Sequence, residues 1–274
     1  MTTERPAIED RFRRPSVMGV VNVTPDSFSD GGAHLEPAAA VAAGRRMLDE
    51  GAAIVDVGGE STRPGSEGVP LDEELRRVVP VLEGLRGAPV SVDTAKADVA
   101  RRALDLGAEL VNDVTALRGD PRMAEVVAEA GAYVCLMHMQ GLPRTMQVAP
   151  SYDDVVTEVT AFLESRLAFA VAAGIAEDRI CLDPGIGFGK TVAQNFELVR
   201  RLDVLVSLGR PVLVGFSRKR SLGRALGDPA ATVGPLAASV AAAVAAYDRG
   251  ATLLRVHDVR EHVEALTVAA AVAG

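Results

Sequence analysis

The strongest constraint on the fold is an alternation of short apolar runs with longer helical patterns, which repeats eight times along the chain. The runs are rich in Val, Ile and Leu, as is typical of strands that are buried on both faces. They span residues 17–23, 53–57, 90–92, 110–112, 133–137, 180–182, 212–214 and 253–256. Because parallel strands are joined by right-handed crossovers, this alternation predicts a parallel α/β sheet. Eight units favour a closed (β/α)8 barrel over a doubly wound sheet, which usually has fewer strands.

Helical patterns occupy the intervals between these runs, and several have readable ends. They span residues 37–50, 72–85, 96–106, 122–130, 152–173, 193–208, 233–249 and 260–271. A glycine follows six of these segments, where a helix commonly ends in a left-handed residue. The 274 residues fit one barrel of about 250 residues, and no linker-like stretch interrupts them. We therefore expect one domain over residues 17–274, preceded by a loose polar tail over residues 1–16.

Composition excludes several classes of protein. Apolar residues make up 48% of the chain and charged residues 24%, which excludes an intrinsically disordered protein. The net charge of −8 and the absence of Trp argue against binding to nucleic acid or to an anionic membrane. Cys135 and Cys181 lie in apolar runs, so we expect two buried, reduced thiols. Residues 1–16 lack the apolar region of a signal peptide, and no stretch is long enough to span a membrane, so we expect a cytoplasmic protein.

Polar or glycine-rich residues follow every predicted strand. In strand order, the ends carry Asn22, Asp56, Asp93, Asn112, His138, Asp183, Ser217 and Arg255. Because the carboxyl ends of barrel strands form the active-site face, we expect these side chains to converge at one mouth. A single carboxylate at such an end is often only a helix cap. Eight polar ends in succession instead indicate a ligand that has both a hydrogen-bonding heterocycle and an anionic group.

Six segments of the chain form a recognisable set: MGVVNVTPDSFSDGG (18–32), DVGGESTRPG (56–65), MHMQG (137–141), LDPGIGFGK (182–190), SRKR (217–220) and RVHD (255–258). Together these segments resemble the dihydropteroate synthase family. The likeness runs from about residue 17 to the C-terminus. It implies a (β/α)8 barrel, commonly a homodimer, with mobile loops after the first two strands. It also implies a reaction in which 6-hydroxymethyl-7,8-dihydropterin pyrophosphate and p-aminobenzoate give 7,8-dihydropteroate and pyrophosphate. The alanine-rich segment 236–247 is a candidate dimer surface.

The resemblance implies a pterin pocket made of five residues. Asp183 accepts two hydrogen bonds from the amidine-like edge of the pterin, an arrangement that suits a carboxylate. Asn112 offers an amide, and Lys219 donates to the ring carbonyl or to N5. Asp93 lies near the other edge of the bicycle, and Met137 completes the pocket.

For the pyrophosphate group, the resemblance implies a clamp of hydrogen-bonding and cationic residues. These are Asn22, Thr62, Arg63, Arg255 and His257. Mg2+ is the implied cofactor, held by the side-chain oxygen of Asn22 together with pyrophosphate oxygens and waters. Because Mg2+ usually keeps few protein ligands, we expect no dense cage of carboxylates.

For p-aminobenzoate, the resemblance implies a slot whose residues are Thr62, Pro64, Gly187, Phe188, Ser217 and Arg218. The substrate carboxylate would lie near the last two, at a helix N-terminus. The residues implied in catalysis are Asp30, Asp93, Arg63 and Lys219. The two aspartates offset positive charge on the exocyclic CH2 of the pterin, Lys219 acts on the ring, and Arg63 stabilises the departing pyrophosphate.

The glycine-rich segment 185–191 is not a phosphate-binding Walker A loop, because its spacing is one residue too short. We interpret it as a flexible barrel loop that lets Phe188 and backbone N–H groups approach the ligand closely. We expect Lys190 to face solvent. His34 and His262 are predicted to be surface residues, whereas His138 is ambiguous.

Three other interpretations remain open. A methyltetrahydrofolate-dependent methyltransferase uses a related pterin barrel, but it has little use for the signature at 217–219. Lys219 could instead form a Schiff base, as in an aldolase, which trapping with borohydride would detect. A non-catalytic paralogue would be expected to lose loop residues that this chain keeps, among them Asn22 and Arg63.

Overall fold

The computed structural model describes residues 5–24, 37–61, 66, 68–141 and 144–274. The strands in this part are β1 (Ser16–Asn22), β2 (Ile54–Gly58), β3 (Val90–Asp93), β4 (Leu110–Asp113), β5 (Tyr133–Met137), β6 (Ile180–Asp183), β7 (Leu213–Val214) and β8 (Leu253–Val256). All pairs are parallel, and the strand order is β6-β5-β4-β3-β2-β1-β8-β7. A parallel bridge between Leu182 and Val212 joins the two outer strands. The sheet therefore closes, and the predicted (β/α)8 barrel is confirmed.

Helices fill the intervals between the strands, and their bounds follow the predicted segments closely. They are α1 (Ile8–Arg11), α2 (Pro37–Asp49), α3 (Leu71–Gly84), α4 (Ala97–Asp105), α5 (Met123–Ala130), α6 (Val155–Ala172), α7 (Val192–Arg200), α8 (Leu202–Val206), α9 (Arg220–Ala225), α10 (Leu236–Asp248) and α11 (Val259–Ala273). The single helix predicted over 193–208 is two helices, because Arg201 leaves the helical conformation at φ −111° and ψ 34°. The sequence did not predict α9, whose six residues are too few to show a helical period.

Most buried apolar side chains pack in two regions, inside the barrel and between the strands and the helices. The inner cluster takes Met18, Ile54, Leu110, Tyr133, Cys135, Cys181, Leu213 and Leu253 from the strands. Val17 and Val21 of β1 belong instead to the outer cluster, because successive side chains of a strand point to opposite faces. Five of the inner residues begin their strands. The apolar interior thus fills the amino end of the barrel, which leaves the carboxyl ends to polar side chains.

The N-terminal segment packs against the amino end of the barrel. Ile8 and Phe12 are fully buried in the inner cluster, and the Tyr133 hydroxyl donates a hydrogen bond to the carbonyl of Pro6 at 2.8 Å. Arg11 donates to a Glu109 carboxylate oxygen at 3.0 Å. Residues 5–16 therefore differ from the loose polar tail that we expected. The many charged residues of this segment suggested a solvated tail. Its two apolar residues, Ile8 and Phe12, are four positions apart and therefore lie on one side of the short helix α1.

Cys135 and Cys181 are both free and buried, as predicted. They stand opposite each other where β5 pairs with β6, and the hydrogen bond with Cys181, followed by burial, raises the pKa of the Cys135 thiol. Among the described residues, we find no helix with the length and apolar character needed to cross a membrane.

Candidate active site

Side chains at the carboxyl ends of four strands form one hydrogen-bonded network. Asp56 of β2 accepts hydrogen bonds from the Asn112 amide of β4 at 2.9 Å and from Arg255 Nε of β8 at 2.7 Å. A second guanidinium nitrogen of Arg255 donates to Asp93 of β3 at 2.8 Å. The network thus spans the barrel mouth and brings together three of the predicted site residues, Asp93, Asn112 and Arg255.

Asp56 is fully buried at the centre of this network; the sequence placed it at the mouth but assigned it no specific role. The signal that could have shown its role is a carboxylate inside the apolar run of β2, a place where an unpaired charge is costly. Two buried oxygens of the network, Asp56 Oδ1 and Asn112 Oδ1, have no hydrogen-bond partner within the described residues. Because a buried acceptor without a donor costs about 1–3 kcal/mol, these oxygens favour a ligand that brings N–H groups.

Asp93 has a perturbed acidity. Burial raises the pKa of its carboxyl to about 7, while Arg255 opposes that rise and the neighbouring Asp56 adds to it. Asp93 is therefore able to hold or release a proton near neutral pH. A group with such a pKa in a cleft is typical of a functional site.

Asp183 ends β6 with one carboxylate oxygen turned toward its own loop. Oδ1 accepts a hydrogen bond from the Gly185 backbone N–H at 2.7 Å. Burial raises the pKa of this carboxyl, and the Gly185 N–H and the charges of Lys219 and Arg255 oppose the rise. Met137 of β5 pairs in register with Asp183. It belongs to a small apolar cluster that also contacts Phe188, so an apolar wall adjoins the carboxylate.

Lys219, Gly187 and Phe188 lie side by side across the mouth. The Lys219 Nζ atom is 4.3 Å from the centre of the Phe188 ring, which is within range of a cation–π contact. Gly187 has a φ of 84°, which strains any residue with a Cβ, and a Cβ there would also lie 3.2 Å from the Lys219 side chain. This close approach leaves the aromatic face and the ammonium group at one edge of the site.

His257 and Ser217 form a hydrogen-bonded pair at the ends of β8 and β7. The Ser217 hydroxyl is 3.2 Å from His257 Nδ1, and the same oxygen accepts a hydrogen bond from the His257 backbone N–H. Burial, followed by the charges of Arg255 and Arg218, lowers the pKa of His257 to about 3. The imidazole is therefore neutral at physiological pH and acts as a hydrogen-bonding group rather than as a cation.

Arg218 is held at the rim of the mouth. Its Nε donates to Asp258 at 3.0 Å, half of its side chain is exposed, and its backbone has a positive φ of 57°. The ion pair with Asp258 raises the pKa of Arg218 and lowers that of Asp258. The guanidinium is thus fixed by a carboxylate on the loop after β8.

Lys190 is buried, and the expectation that it faces solvent is wrong. Only 2% of the residue is exposed, and its Nζ atom donates to the carbonyls of Gly185 and Phe188, each at 3.0 Å. The same atom is 2.9 Å from His138 Nδ1. Burial lowers the pKa of Lys190 to about 7, and burial with the charge of Lys190 lowers that of His138 to about 3. The loop after β6 folds over the side chain, a path that local sequence does not reveal.

Glycines allow this loop to lie directly on the backbone after β5. Gly185 and Gly189 have φ values of 68° and 67°, and a Cβ at either position would overlap a carbonyl oxygen of the segment 138–140.

His262 was predicted to be a surface residue, but it is fully buried. Its Nδ1 lies 2.6 Å from the carbonyl of Asp258, one helical turn earlier, so the imidazole is part of the packing of α11.

Several predicted residues cannot be placed by this geometry. Asp30, Thr62, Arg63, Pro64 and His34 lie outside the described residues. Asn22 is at the carboxyl end of β1 and is partly buried. Within the described ranges there is no group of three or more His, Cys, Asp or Glu side chains that could hold a metal ion.

Known proteins resemble this chain over nearly its whole length. The sequence model of a family described as "Pterin binding enzyme" matches residues 18–257. A protein of Escherichia coli strain K12 named dihydropteroate synthase is 48% identical over 260 residues, covering 93% of this chain and 90% of that protein. The structure of Xanthomonas albilineans dihydropteroate synthase with 4-aminobenzoic acid is 53% identical, with a TM-score of 0.87 over 96% of this chain and 94% of that one. The enzyme from the same organism in complex with 7,8-dihydropteroate is 50% identical, with a TM-score of 0.84 over 96% and 95% of the two chains.

Proposed function

The chain belongs to the pterin-binding enzyme family, and from this premise we propose how the mouth of its barrel carries out the reaction. Its activity is that of a dihydropteroate synthase, a transferase. The substrates are 6-hydroxymethyl-7,8-dihydropterin pyrophosphate and p-aminobenzoate, and the products are 7,8-dihydropteroate and pyrophosphate. The observation that carries the assignment of residues is the buried network at the mouth, with its unpartnered oxygens and the adjoining Lys219.

The pterin lies between the network and the apolar wall of Met137. Asp183 accepts from the N–H groups of the amidine-like edge, since two aligned donors suit a carboxylate. The unpartnered Asn112 Oδ1 accepts a further N–H, and Lys219 donates to the ring carbonyl or N5. Asp93, whose pKa is about 7, faces the other edge and offsets positive charge that develops on the pterin.

Arg255 and His257 bind the pyrophosphate together with Asn22, Thr62 and Arg63. Arg255 is held in place by Asp56 and Asp93 before any substrate arrives, so its charge is already oriented. Such preorganised charge stabilises a leaving group without reorganisation during the reaction. His257 contributes a neutral N–H donor, in keeping with its lowered pKa.

The donor set fits Mg2+ as the cofactor. Asn22 offers an amide oxygen at the end of β1, and hard oxygen donors are the ligands that Mg2+ prefers. When bound, Mg2+ would neutralise charge on the leaving pyrophosphate.

The reaction replaces one bond of the exocyclic CH2 with another. The C–O bond to pyrophosphate breaks, and its electron pair leaves with the pyrophosphate. The arylamine nitrogen of p-aminobenzoate forms the new C–N bond and then loses a proton. We place the arylamine against Gly187, Phe188, Thr62 and Pro64, with its carboxylate toward Ser217 and Arg218. Phe188 supplies an aromatic face for this ring, and Lys219 beside it connects the two substrate sites.

We further propose that the protein works as a cytoplasmic homodimer with residues 17–274 as its catalytic domain.

A pyrophosphate-release assay tests the proposed reaction directly. We expect release only when the pterin pyrophosphate, p-aminobenzoate and Mg2+ are all present, so each is omitted in turn. Release that does not depend on p-aminobenzoate would contradict the proposed transfer, because hydrolysis alone would then account for it.

A further inference from the structure

The loop between β6 and α7 is held by a buried lysine that the reaction described above does not use. Lys190 Nζ contacts two carbonyls of its own loop and the imidazole of His138 on the neighbouring loop, and the His138 carbonyl lies at 3.3 Å. Burying an ammonium group among neutral acceptors carries a desolvation cost, which lowers the free energy of unfolding. The lowered pKa of Lys190, about 7, reflects that cost.

Lys190 binds the carbonyls of Gly185 and Phe188, which lie on either side of Gly187. Gly187 is one of the residues that we place against p-aminobenzoate. Gly185 and Phe188 are also joined to each other by a backbone hydrogen bond of 3.0 Å, so the lysine closes a tight turn around Gly187. From outside the loop, Asn195 accepts from the Gly187 N–H at 2.7 Å and Gln147 donates to the Gly187 carbonyl at 2.6 Å. The turn is therefore fixed from inside by Lys190 and from outside by two amides.

The position of the Phe188 ring depends on this turn. The ring lies 4.3 Å from Lys219 Nζ and contacts the apolar cluster that includes Met137. Without the lysine, the two loop carbonyls and His138 Nδ1 would each lose a donor in a buried space. The turn would then relax, and Phe188 would move away from Lys219.

We infer that Lys190 is a positioning residue for the arylamine site: its buried Nζ, held by His138, fixes the 185–189 turn that presents Gly187 and Phe188 to p-aminobenzoate. This inference rests on the proposed function. It predicts a larger effect on p-aminobenzoate than on the pterin pyrophosphate, because Lys190 Nζ binds the carbonyls on either side of Gly187 directly. Lys190 reaches Asp183 of the pterin pocket only through Gly185, whose N–H donates to that carboxylate.

Steady-state kinetics of the Mg2+-loaded protein provide the test, with each substrate varied at saturation of the other. We expect Lys190→Met to raise the KM for p-aminobenzoate about tenfold or more, since small misplacements of a binding group have large effects. The KM for the pterin pyrophosphate should stay within about twofold of the wild type. His138→Gln keeps an acceptor for the lysine at a different distance, so it should shift the same KM in the same direction by a smaller factor.

Thr191→Ala is the matched control. Thr191 follows Lys190 directly and caps α7 by accepting from the Gln194 N–H, with the Gln194 side chain returning a bond. Its loss should lower the melting temperature while both KM values stay unchanged. If Lys190→Met does not fold, His138→Gln alone decides the matter by its KM for p-aminobenzoate.

Two results would overturn the inference. One is a rise of both KM values by the same factor in Lys190→Met, which would indicate a general structural role. The other is an unchanged KM for p-aminobenzoate in a folded variant. By contrast, a wild-type protein that releases no pyrophosphate in response to p-aminobenzoate would overturn the proposed function itself, and the inference with it.

Discussion

Asp183 offers the sharpest test of a single side chain. Asp183→Asn keeps an oxygen for the Gly185 N–H but loses the negative charge and one acceptor, so the loop should remain intact. Hydrogen bonds to a charged group contribute about 1.5–3 kcal/mol, so we expect kcat/KM for the pterin pyrophosphate to fall about 10- to 100-fold. The exposed Asp178→Asn serves as a control for a change of charge. An Asp183 variant with wild-type kcat/KM would remove this residue from the pterin pocket.

The lowered pKa of His257 predicts how stability depends on pH. The free imidazole titrates near 6.5 and the folded one near 3, so between these values the unfolded state binds more protons. The free energy of unfolding should therefore fall as the pH is lowered through this window, with a slope of at most about 1.4 kcal/mol per pH unit from this group. His257→Gln should flatten that fall when urea unfolding is measured from pH 7 to pH 4. An identical pH slope in variant and wild type would show that His257 is not buried as a neutral base.

The sequence predicted individual residues well where a strand end dictated their position. Asp93, Asn112 and Arg255 are joined in one network at the mouth, as the strand alternation required. Lys190 was misjudged because its burial depends on the path of a loop through three dimensions. Asp56 was expected at the mouth but received no specific role, because its importance lies in its partners on other strands, which sequence spacing does not show.

Among the elements, the strands were predicted most accurately, because each is a short apolar run bounded by polar residues. The bounds of β5 and β8 agree with the prediction at both ends. The interruption at Arg201 was missed, since both α7 and α8 keep apolar residues on the same side and the period continues across the break. α1 was missed because a single turn gives too little pattern to outweigh its charged neighbours.

The burial of α1 predicts a structural role for the N-terminal segment. Phe12 is fully buried and packs edge-on against Tyr133, with ring centres 5.9 Å apart. Phe12→Ala should lower the free energy of unfolding by about 3–5 kcal/mol, the usual cost of removing a buried aromatic side chain. Arg13→Ala, at the exposed next position, should change it little. Urea unfolding of the two variants makes the comparison, and equal stabilities would mean that the segment does not close the barrel in solution.

At the scale of the whole molecule, the barrel separates its two tasks between its ends. The amino end is apolar and sealed by α1, whereas the carboxyl end concentrates Arg255, Lys219 and Lys190 among carboxylates. A chain with a net charge of −8 can thus bind a multiply charged anion, because local charge and not the total determines the field at the mouth. The net charge argues against nucleic acid as a partner, whereas the fold explains where an anionic substrate would bind.

The proposed homodimer is a property of the molecular surface. α10 packs on α11, and the exposed side of this pair carries apolar residues: Leu236 is 41% exposed, Val268 64% and Val272 84%. Small side chains on α10 would allow a second copy to approach closely. We therefore expect Ala241→Glu, at an exposed position of α10, to convert the dimer to a monomer in sedimentation velocity at micromolar concentration.

Ala38→Glu places the same charge on the exposed face of α2 and should leave the dimer intact. Because Ala241 is outside the barrel mouth, the monomeric variant should still fold, with an unchanged far-ultraviolet circular dichroism spectrum. Residual activity of that monomer would show that each barrel carries a complete site, in agreement with a network built entirely from the strands of one chain. A wild-type protein that sediments as a monomer would refute the dimer, and a dimeric Ala241→Glu would move the interface away from α10.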